Sequence, residues 1–468
     1  MTGNSPTSSA EQLIYTSAGG YRVVAASAGL RDRGEPVWLR WLAYDNDAAR
    51  GEAIYRVFPA QADGTEWVFA RTCEAGTDRW GRPGNYLVHA YLIDAAALAV
   101  AHWRLVPILR SLPFQSVWED NPDANSMLPL DLLTVPLIAE DFGRLHRLLR
   151  VPTRASSLLG IAEIVAERLL AGTHTQSVPP AALVGARAAE DRLDVVECLC
   201  LLLPYTARSR FSFSSLERGT RDRPMMLVCL PSTEGTSGEE TIRLQSSEAG
   251  EAAGRSAYFA ALGRALGLGG DRAGREAAAT CVASVEAWLA ANPGPVTLAD
   301  IDLLTEFCSE TSKEWELTRW QRLTELVRGL AWTSTVPPTW SDVIARAGTA
   351  SSTWDLRQFA EAFRTILALP IDAPALDHEQ VQRLAAWWTE AFSVRGLRSE
   401  IAGAVRDSLS QLASHASEAL EQLVAVMRLQ RGGPWSLAVG EGNLSACQDV
   451  GLLALELIGT QASDEKGQ

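Results

Sequence analysis

Lysine and histidine are scarce in this sequence, and their scarcity excludes several catalytic designs. The 468 residues include only two lysines, Lys313 and Lys466, and neither lies between a glycine and a serine or threonine. A phosphate-binding P-loop needs its lysine in that setting, so nucleotide hydrolysis through this motif is excluded. The six histidines form no HExxH motif and no pair spaced i, i+4, and no GxSxG nucleophile elbow occurs. The sequence therefore predicts no catalytic residues, no metal site and no cofactor. An active site assembled from distant residues stays an open alternative.

Cysteine pairs and long apolar runs are also missing. The seven cysteines are an odd, scattered set, which argues against a disulfide framework and fits a reducing cytoplasm. Cys198 and Cys200 would point about 200° apart on a helix, so they make a poor metal chelate. No run of 18 apolar residues occurs, and the first residues lack the basic and apolar regions of a signal peptide. We expect a cytoplasmic protein with no membrane span.

The net charge of −14 bears on the choice of partner. Nucleic acids and anionic membranes are bound through basic surfaces, so an acidic chain argues against both as general partners. Nearly all basic residues are arginines, which is most simply a codon bias, so their abundance is no sign of phosphate binding. Apolar residues make up 47% and charged residues 21%, as in soluble globular proteins. The length predicts two or three domains.

The pattern of apolar residues predicts three regions that differ in fold class. Residues 11–125 contain short strands followed by a helical stretch at 95–112, which predicts an α+β amino-terminal domain with a largely antiparallel sheet. The predicted strands are 13–16, 21–26, 37–42, 53–58, 66–73 and 86–93.

Residues 137–270 are predicted to form a mixed α/β middle domain. Helices fit 158–171 and 187–203, and strands fit 211–216 and 225–230. The second of these strands is apolar throughout, as in a strand that is covered on both faces.

Residues 271–460 show helical periodicity, including 272–291, 298–330 and further segments from residue 354 onward, and are predicted to form an all-α helical array. Nine of the fifteen tryptophans lie from residue 255 onward. Tryptophans on helices usually fill core positions, and a partner-binding groove is the alternative.

The most unusual segment is 73–92, CEAGTDRWGRPGNYLVHAYL. It joins two predicted strands through about a dozen residues, which is long for a hairpin loop. Pro83-Gly84 is typical of a turn in which the glycine takes a positive φ. We interpret this loop as a recognition surface, since arginine forks suit carboxylates and phosphates and loops often carry function. The candidate partner-binding residues are Asp78, Arg79, Trp80, Arg82, Asn85 and His89. The alternative is a loop whose charges pair with each other, with His89 an ordinary, partly buried side chain.

Cys73 and His89 flank this same loop. A thiolate nucleophile needs a neighbouring base, so a Cys73–His89 dyad would form if the strand register brought the two side chains together.

Several blocks of sequence resemble a bacterial family. They are residues 12–17, residues 20–30, the pairs Tyr55-Arg56 and Asp63-Gly64, and residues 78–89. They are similar to the amino-terminal domain, type 2, of GTPase-associated proteins, which are encoded beside small GTPases in multi-component bacterial conflict systems. The resemblance covers residues 11 to about 125 and is much vaguer beyond. It implies protein partners, a small GTPase and the products of neighbouring genes, but no reaction and no catalytic residue.

These observations support two hypotheses. The first is a non-enzymatic adaptor or scaffold, in which the amino-terminal domain binds a small GTPase and the helical region recruits a second protein. Arg79 or Arg82 would contribute to docking, and an arginine finger that stimulates GTP hydrolysis is a further variant. The second hypothesis is a protein that senses a small molecule or nucleotide, or an undetected enzyme, with its pocket at the 74–89 loop.

Overall fold

A computed structural model describes the backbone of about half of the chain. The described residues are 7–17, 20–42, 51–77, 81, 83–118, 133–136, 149, 152–171, 181–184, 189–216, 225–230, 241–243, 256–309, 315–330, 334–339, 342, 343 and 346. The helices predicted from residue 354 onward lie outside this set, as do four candidate site residues: Asp78, Arg79, Trp80 and Arg82. The chain divides into two compact units, residues 1–290 with 295–299, and residues 291–294 with 300–468.

A single sheet runs through the first unit. Its ten described strands are β1 (Thr7–Ser17), β2 (Tyr21–Ala26), β3 (Ile54–Pro59), β4 (Glu66–Glu74), β5 (Tyr86–Asp94), β6 (Leu133–Pro136), β7 (Ala181–Val184), β8 (Phe213–Ser214), β9 (Leu227–Leu230) and β10 (Thr241–Arg243). The strand order is β10-β7-β9-β8-β3-β4-β5-β1-β2, and β6 pairs with the start of β1.

The amino-terminal half of the sheet is antiparallel, as the sequence predicts. β4 pairs with β5 from Glu66 opposite Asp94 to Glu74 opposite Tyr86, so the predicted strands 66–73 and 86–93 form the two arms of one hairpin. β1 lies between β5 and β2, antiparallel to both. The α+β fold class predicted for this region is therefore confirmed.

One face of this half is covered by the segment that follows β2. It contains α1 (Ala28–Asp32) and a 3-10 helix, Val37–Leu42. The prediction of a strand at 37–42 is wrong. Trp38, Leu39 and Leu42 are buried while Val37 is 70% exposed. A strand would point Trp38 and Leu39 to opposite faces, whereas a helical turn lets all three apolar side chains pack on the sheet.

The opposite face is covered by α2 (Ala95–Val100), α3 (Leu105–Ser111) and residues 113–118, which we call the strap. The sequence predicts one helical stretch at 95–112, and the structure breaks it into two helices. His102 and Trp103 have φ of 52° and 57°, in the left-handed region. The buried Trp103 ring packs against Trp67 of β4 at 5.5 Å, and this contact helps to hold the unusual backbone in place.

The rest of the sheet is largely parallel. β9 lies between β7 and β8 and is parallel to both, which agrees with its uniformly apolar sequence. The accompanying helices are α4 (Pro152–Leu170), α5 (Ala189–Leu202), α6 (Tyr205–Arg208), α7 (Ala257–Ala265) and α8 (Arg272–Ala291). The mixed α/β class predicted for the middle region is confirmed. The domain boundaries near residues 125–137 and 270 stay predictions.

The described part of the second unit is helical. It contains α9 (Leu298–Cys308) and α10 (Leu317–Leu330). The Trp320 ring is buried and packs against Phe307 at 6.1 Å and Trp315 at 5.2 Å. Both tryptophans therefore occupy core positions.

Candidate functional site

The loop between β4 and β5 is pinned at its base by backbone contacts. The N–H of Ala75 donates to the carbonyl of Asn85 at 2.8 Å, and the N–H of Asn85 donates to the carbonyl of Gly76 at 3.3 Å. An isolated bridge joins Thr77 to Pro83. The loop is thus a narrow extension of the hairpin, and residues 78–82 connect the two sides of that bridge.

Three glycines allow the backbone of the loop to turn as it does. Gly76, Gly81 and Gly84 have φ of 74°, 76° and 87°, a region that side chains with a Cβ rarely adopt. The positive φ of Gly84 agrees with the turn predicted for Pro83-Gly84. Thr77, Gly81 and Pro83 are exposed, so this part of the loop is open to a partner.

Three tyrosines stack on the sheet beside the loop, and we call them the tyrosine cluster. The Tyr21 ring stacks on Tyr86 at 4.4 Å and on Tyr15 at 5.8 Å. The Tyr21 hydroxyl donates to the Gly84 carbonyl at 3.3 Å, and 41% of Tyr21 is exposed. Burial and the neighbouring tyrosines raise the pKa of Tyr86, so its hydroxyl stays neutral at neutral pH. The cluster therefore presents an exposed aromatic ring next to the base of the loop and is hydrogen-bonded to it.

Sequence reasoning did not single out these tyrosines. They lie at residues 15, 21 and 86, far apart in sequence, and only the strand register brings them together. Because β1 is antiparallel to β5, the end of β1 and the start of β5 meet at the same edge of the sheet. The sequence did contain one usable signal: each of three predicted strands carries a tyrosine near the end that lies beside the loop.

His89 lies in the interior, on the face that the strap covers. Its exposure is 1%, and both ring nitrogens are engaged. Nδ1 accepts the backbone N–H of Gln115 at 2.9 Å, so Nε2 carries the proton and donates to Gln12 Oε1 at 2.9 Å. Burial, and to a lesser extent the charge of Arg71, lower the pKa of His89 to about 4. His89 is therefore neutral at neutral pH. Its buried ring contacts the strap and is not accessible to a partner protein.

Other side chains of the same face also bind the strap. The Tyr91 hydroxyl donates to the Pro113 carbonyl at 2.9 Å, and Arg71 donates to the Gln115 carbonyl at 3.4 Å. The Cys73 thiol lies 3.8 Å from the Ser116 carbonyl. The strap consequently runs along β5 towards the loop end of the sheet.

The register does not produce a Cys73–His89 dyad. Arg71 lies opposite His89, and Cys73 lies opposite Leu87. Cys73 and His89 are therefore not directly opposite each other in the hairpin. Neither nitrogen of His89 is available to accept the thiol proton, and burial raises the pKa of Cys73. A raised pKa disfavours the thiolate that nucleophilic catalysis requires.

The structure thus separates the two described candidates from each other. Asn85 lies at the root of the loop and is partly exposed, and its buried Oδ1 has no hydrogen bond to a described residue. His89 lies on β5, further from the loop, and is buried. Within the described ranges no group of three His, Cys, Asp or Glu side chains is placed to hold a metal ion. No helix in those ranges is long and apolar enough to cross a membrane.

Comparison with known protein families gives a match in the amino-terminal region. Residues 9–132 match the model of a family described as GTPase-associated protein 1, N-terminal domain type 2. The match includes most of β1, all of β2 to β5, the loop, the tyrosine cluster and the strap. It confirms the resemblance found in the sequence. No curated protein and no solved structure matches the chain.

Proposed function

We propose that this protein is a non-enzymatic adaptor that binds a small GTPase through the loop end of its amino-terminal sheet. The observation that carries the proposal is the match of residues 9–132 to a domain described as GTPase-associated. The partner is thus a GTPase encoded by a neighbouring gene, in a bacterial conflict or signalling system.

The loop and the tyrosine cluster support this placement. Residues 78–85 of the loop contain two arginines, Arg79 and Arg82, against one carboxylate, Asp78, in a chain whose net charge is −14. Tyrosine and arginine are enriched among the residues that dominate interface energies. Their proximity to one exposed, backbone-pinned loop favours an acidic, partly apolar patch on the partner.

The helical region completes the adaptor. In the proposal it recruits a second protein, so that one chain joins the GTPase to another product of the same gene neighbourhood. Trp315 and Trp320 are buried, so they serve the core of their unit rather than this contact.

Co-purification tests the proposal. Tagged full-length protein is incubated with each neighbouring-gene product, with GDP and with a non-hydrolysable GTP analogue. We expect the GTPase to be retained and the double variant Arg79→Ala/Arg82→Ala to lose it. The matched control is Arg272→Ala/Arg275→Ala on α8, which removes the same charge from an exposed helix. Equal retention by both double variants would refute this docking site, and no retention by the unsubstituted protein would refute the adaptor.

A second assay separates docking from stimulation. GTP turnover is measured with and without the protein, and an unchanged rate eliminates an arginine finger. The sensor or enzyme alternative predicts instead a small molecule that remains in the purified protein and is lost in Arg82→Ala. Native mass spectrometry of both proteins tests that outcome.

A further inference from the structure

We infer that Arg71 and Tyr55 form a binding site for a small oxyanion, a carboxylate or a phosphate. The two residues face each other across β3 and β4, where they are register partners. Register partners project from the same face of a sheet with Cβ atoms about 5 Å apart. Both side chains are partly exposed, so a ligand can reach them from solvent. The site goes beyond the docking surface proposed above and does not depend on it.

Among the residues that the structure describes, few contact the Arg71 guanidinium. Its only hydrogen bond to a described residue runs from Nη1 to the Gln115 carbonyl at 3.4 Å, and its buried Nε–H has no acceptor. No described carboxylate forms an ion pair with it. A guanidinium carries five N–H donors in a planar fork that matches two oxygens of a carboxylate or phosphate. An oxyanion bound here would accept hydrogen bonds from guanidinium donors that have no acceptor among the described residues.

Other arginines of the same unit show what a structural role looks like. Arg110 binds Asp194 at 2.5 Å and also Glu197, while Arg208 binds Glu286. Arg33 binds both oxygens of Glu66, at 2.7 and 2.8 Å. Each of these cations is paired with a carboxylate, whereas no carboxylate in the described part of the chain pairs with Arg71.

The surroundings of Arg71 suit an anion. The Tyr55 ring packs edge-on against Phe114 at 6.1 Å, and its hydroxyl makes no hydrogen bond to a described residue. Because Tyr55 and Arg71 project from the same face of the sheet, the Tyr55 hydroxyl would supply a second donor to an oxyanion bound by Arg71. His89, on the other side of Arg71, has both nitrogens engaged and adds no negative charge. The lowered pKa of His89 is consistent with an uncompensated cation beside it.

Thermal unfolding and ³¹P NMR test the inference on the full-length protein. The probes are sodium phosphate and sodium succinate, each titrated at constant ionic strength against sodium chloride. Binding to the folded state raises Tm with a saturating dependence on ligand, whereas excluded salts raise it gradually in any protein. We expect a saturating rise with at least one probe, and the identity of that probe assigns the site to phosphates or to carboxylates.

Three variants locate the effect. Arg71→Gln should abolish the saturating rise, and Tyr55→Phe should weaken apparent affinity by about fivefold, as expected for one lost hydrogen bond. The control is Arg31→Gln, whose guanidinium also binds a single backbone carbonyl, that of Ala26, at 3.1 Å. It should titrate like the unsubstituted protein.

Broadening of the phosphate ³¹P signal gives a second readout that does not depend on unfolding. If Arg71→Gln does not fold, Arg71→Lys serves instead, because it keeps the charge and loses the fork. The inference is overturned if neither probe gives a saturating response, or if the response persists unchanged in the Arg71 variants.

Discussion

The backbone N–H of Gln115 donates to Nδ1 of His89, and this bond ties the strap to the centre of the sheet. The bond exists only while His89 is neutral, because a protonated imidazole has no acceptor. A histidine that the sequence marks as a recognition residue therefore acts as an internal anchor.

We predict that this anchor makes stability depend on pH between about 4 and 6.5. The pKa of His89 is about 4 in the folded protein and 6.5 for a free histidine. Between these two pKa values the unfolded chain binds more protons at this histidine than the folded chain does. The contribution of neutral His89 to the free energy of unfolding is therefore fully present above pH 6.5 and is lost as the pH falls towards 4. The loss amounts to about 3 kcal/mol.

Carboxylates also titrate in this range, so the measurement is the difference in Tm between the unsubstituted protein and His89→Gln. Glutamine can still accept the Gln115 N–H but does not titrate. We expect the difference to change by roughly 5 °C between pH 7 and pH 4.5. Parallel melting curves for the two proteins would contradict the assignment.

The second prediction concerns Glu286 of α8, which gathers three donors. Its carboxylate accepts from Arg208, from the Tyr258 hydroxyl at 2.7 Å and from the backbone N–H of Tyr205 at 3.2 Å. Glu286→Gln leaves the largely buried Arg208 charge uncompensated and should cost about 3 kcal/mol. The control is Glu276→Gln on the same helix, whose pair with Arg272 is exposed and should contribute at most about 0.5 kcal/mol.

Hydrogen exchange of α6, α7 and α8 measures this effect in place. Glu286→Gln should lower protection in all three helices, and Glu276→Gln should not. Equal protection in the two variants would mean that the carboxylate does not hold these helices together.

How far the sequence predicts the fold depends on how local the determining contacts are. The bounds of β4 and β5 are predicted to within one residue, since their apolar and β-branched residues are typical of strands in any context. The segment 37–42 is also rich in apolar and aromatic residues, yet it is a 3-10 helix, because Trp38, Leu39 and Leu42 all pack on one face of the sheet. That face is built by residues far away in sequence, so no local pattern reveals the difference.

The same reason limits prediction of the site. Glycine and proline predict the loop and its turn at Gly84, because these residues themselves determine the backbone conformation there. The tyrosine cluster and the pairing of Tyr55 with Arg71 arise from strand register. A shift of one residue would send these side chains to opposite faces.

The third prediction concerns Tyr21. If the loop end of the sheet is the docking surface, Tyr21→Ala should weaken binding of the GTPase by at least tenfold, because it removes the exposed ring of the cluster. Tyr21→Phe keeps the ring and removes the hydroxyl that donates to Gly84, so it should cost less than about fivefold. Titration calorimetry measures both, with Val100→Ser as a control at an exposed apolar residue of α2. Equal affinities for Tyr21→Ala and Val100→Ser would remove the cluster from the interface.

The last prediction uses Cys73 to report on the strap. Its thiol lies against the Ser116 carbonyl, and burial raises its pKa, whereas Cys308 of α9 is partly exposed. The thiolate is the reactive form, so iodoacetamide at pH 7.5 should modify Cys308 well before Cys73. Timed labelling followed by peptide mass spectrometry measures both rates, and urea should equalise them. His89→Ala removes the acceptor for Gln115, loosens the strap and should accelerate labelling of Cys73 several-fold without changing Cys308. Rapid labelling of Cys73 in the unsubstituted protein would instead indicate an activated thiol. That result would support the Cys73–His89 dyad, which the strand register argues against.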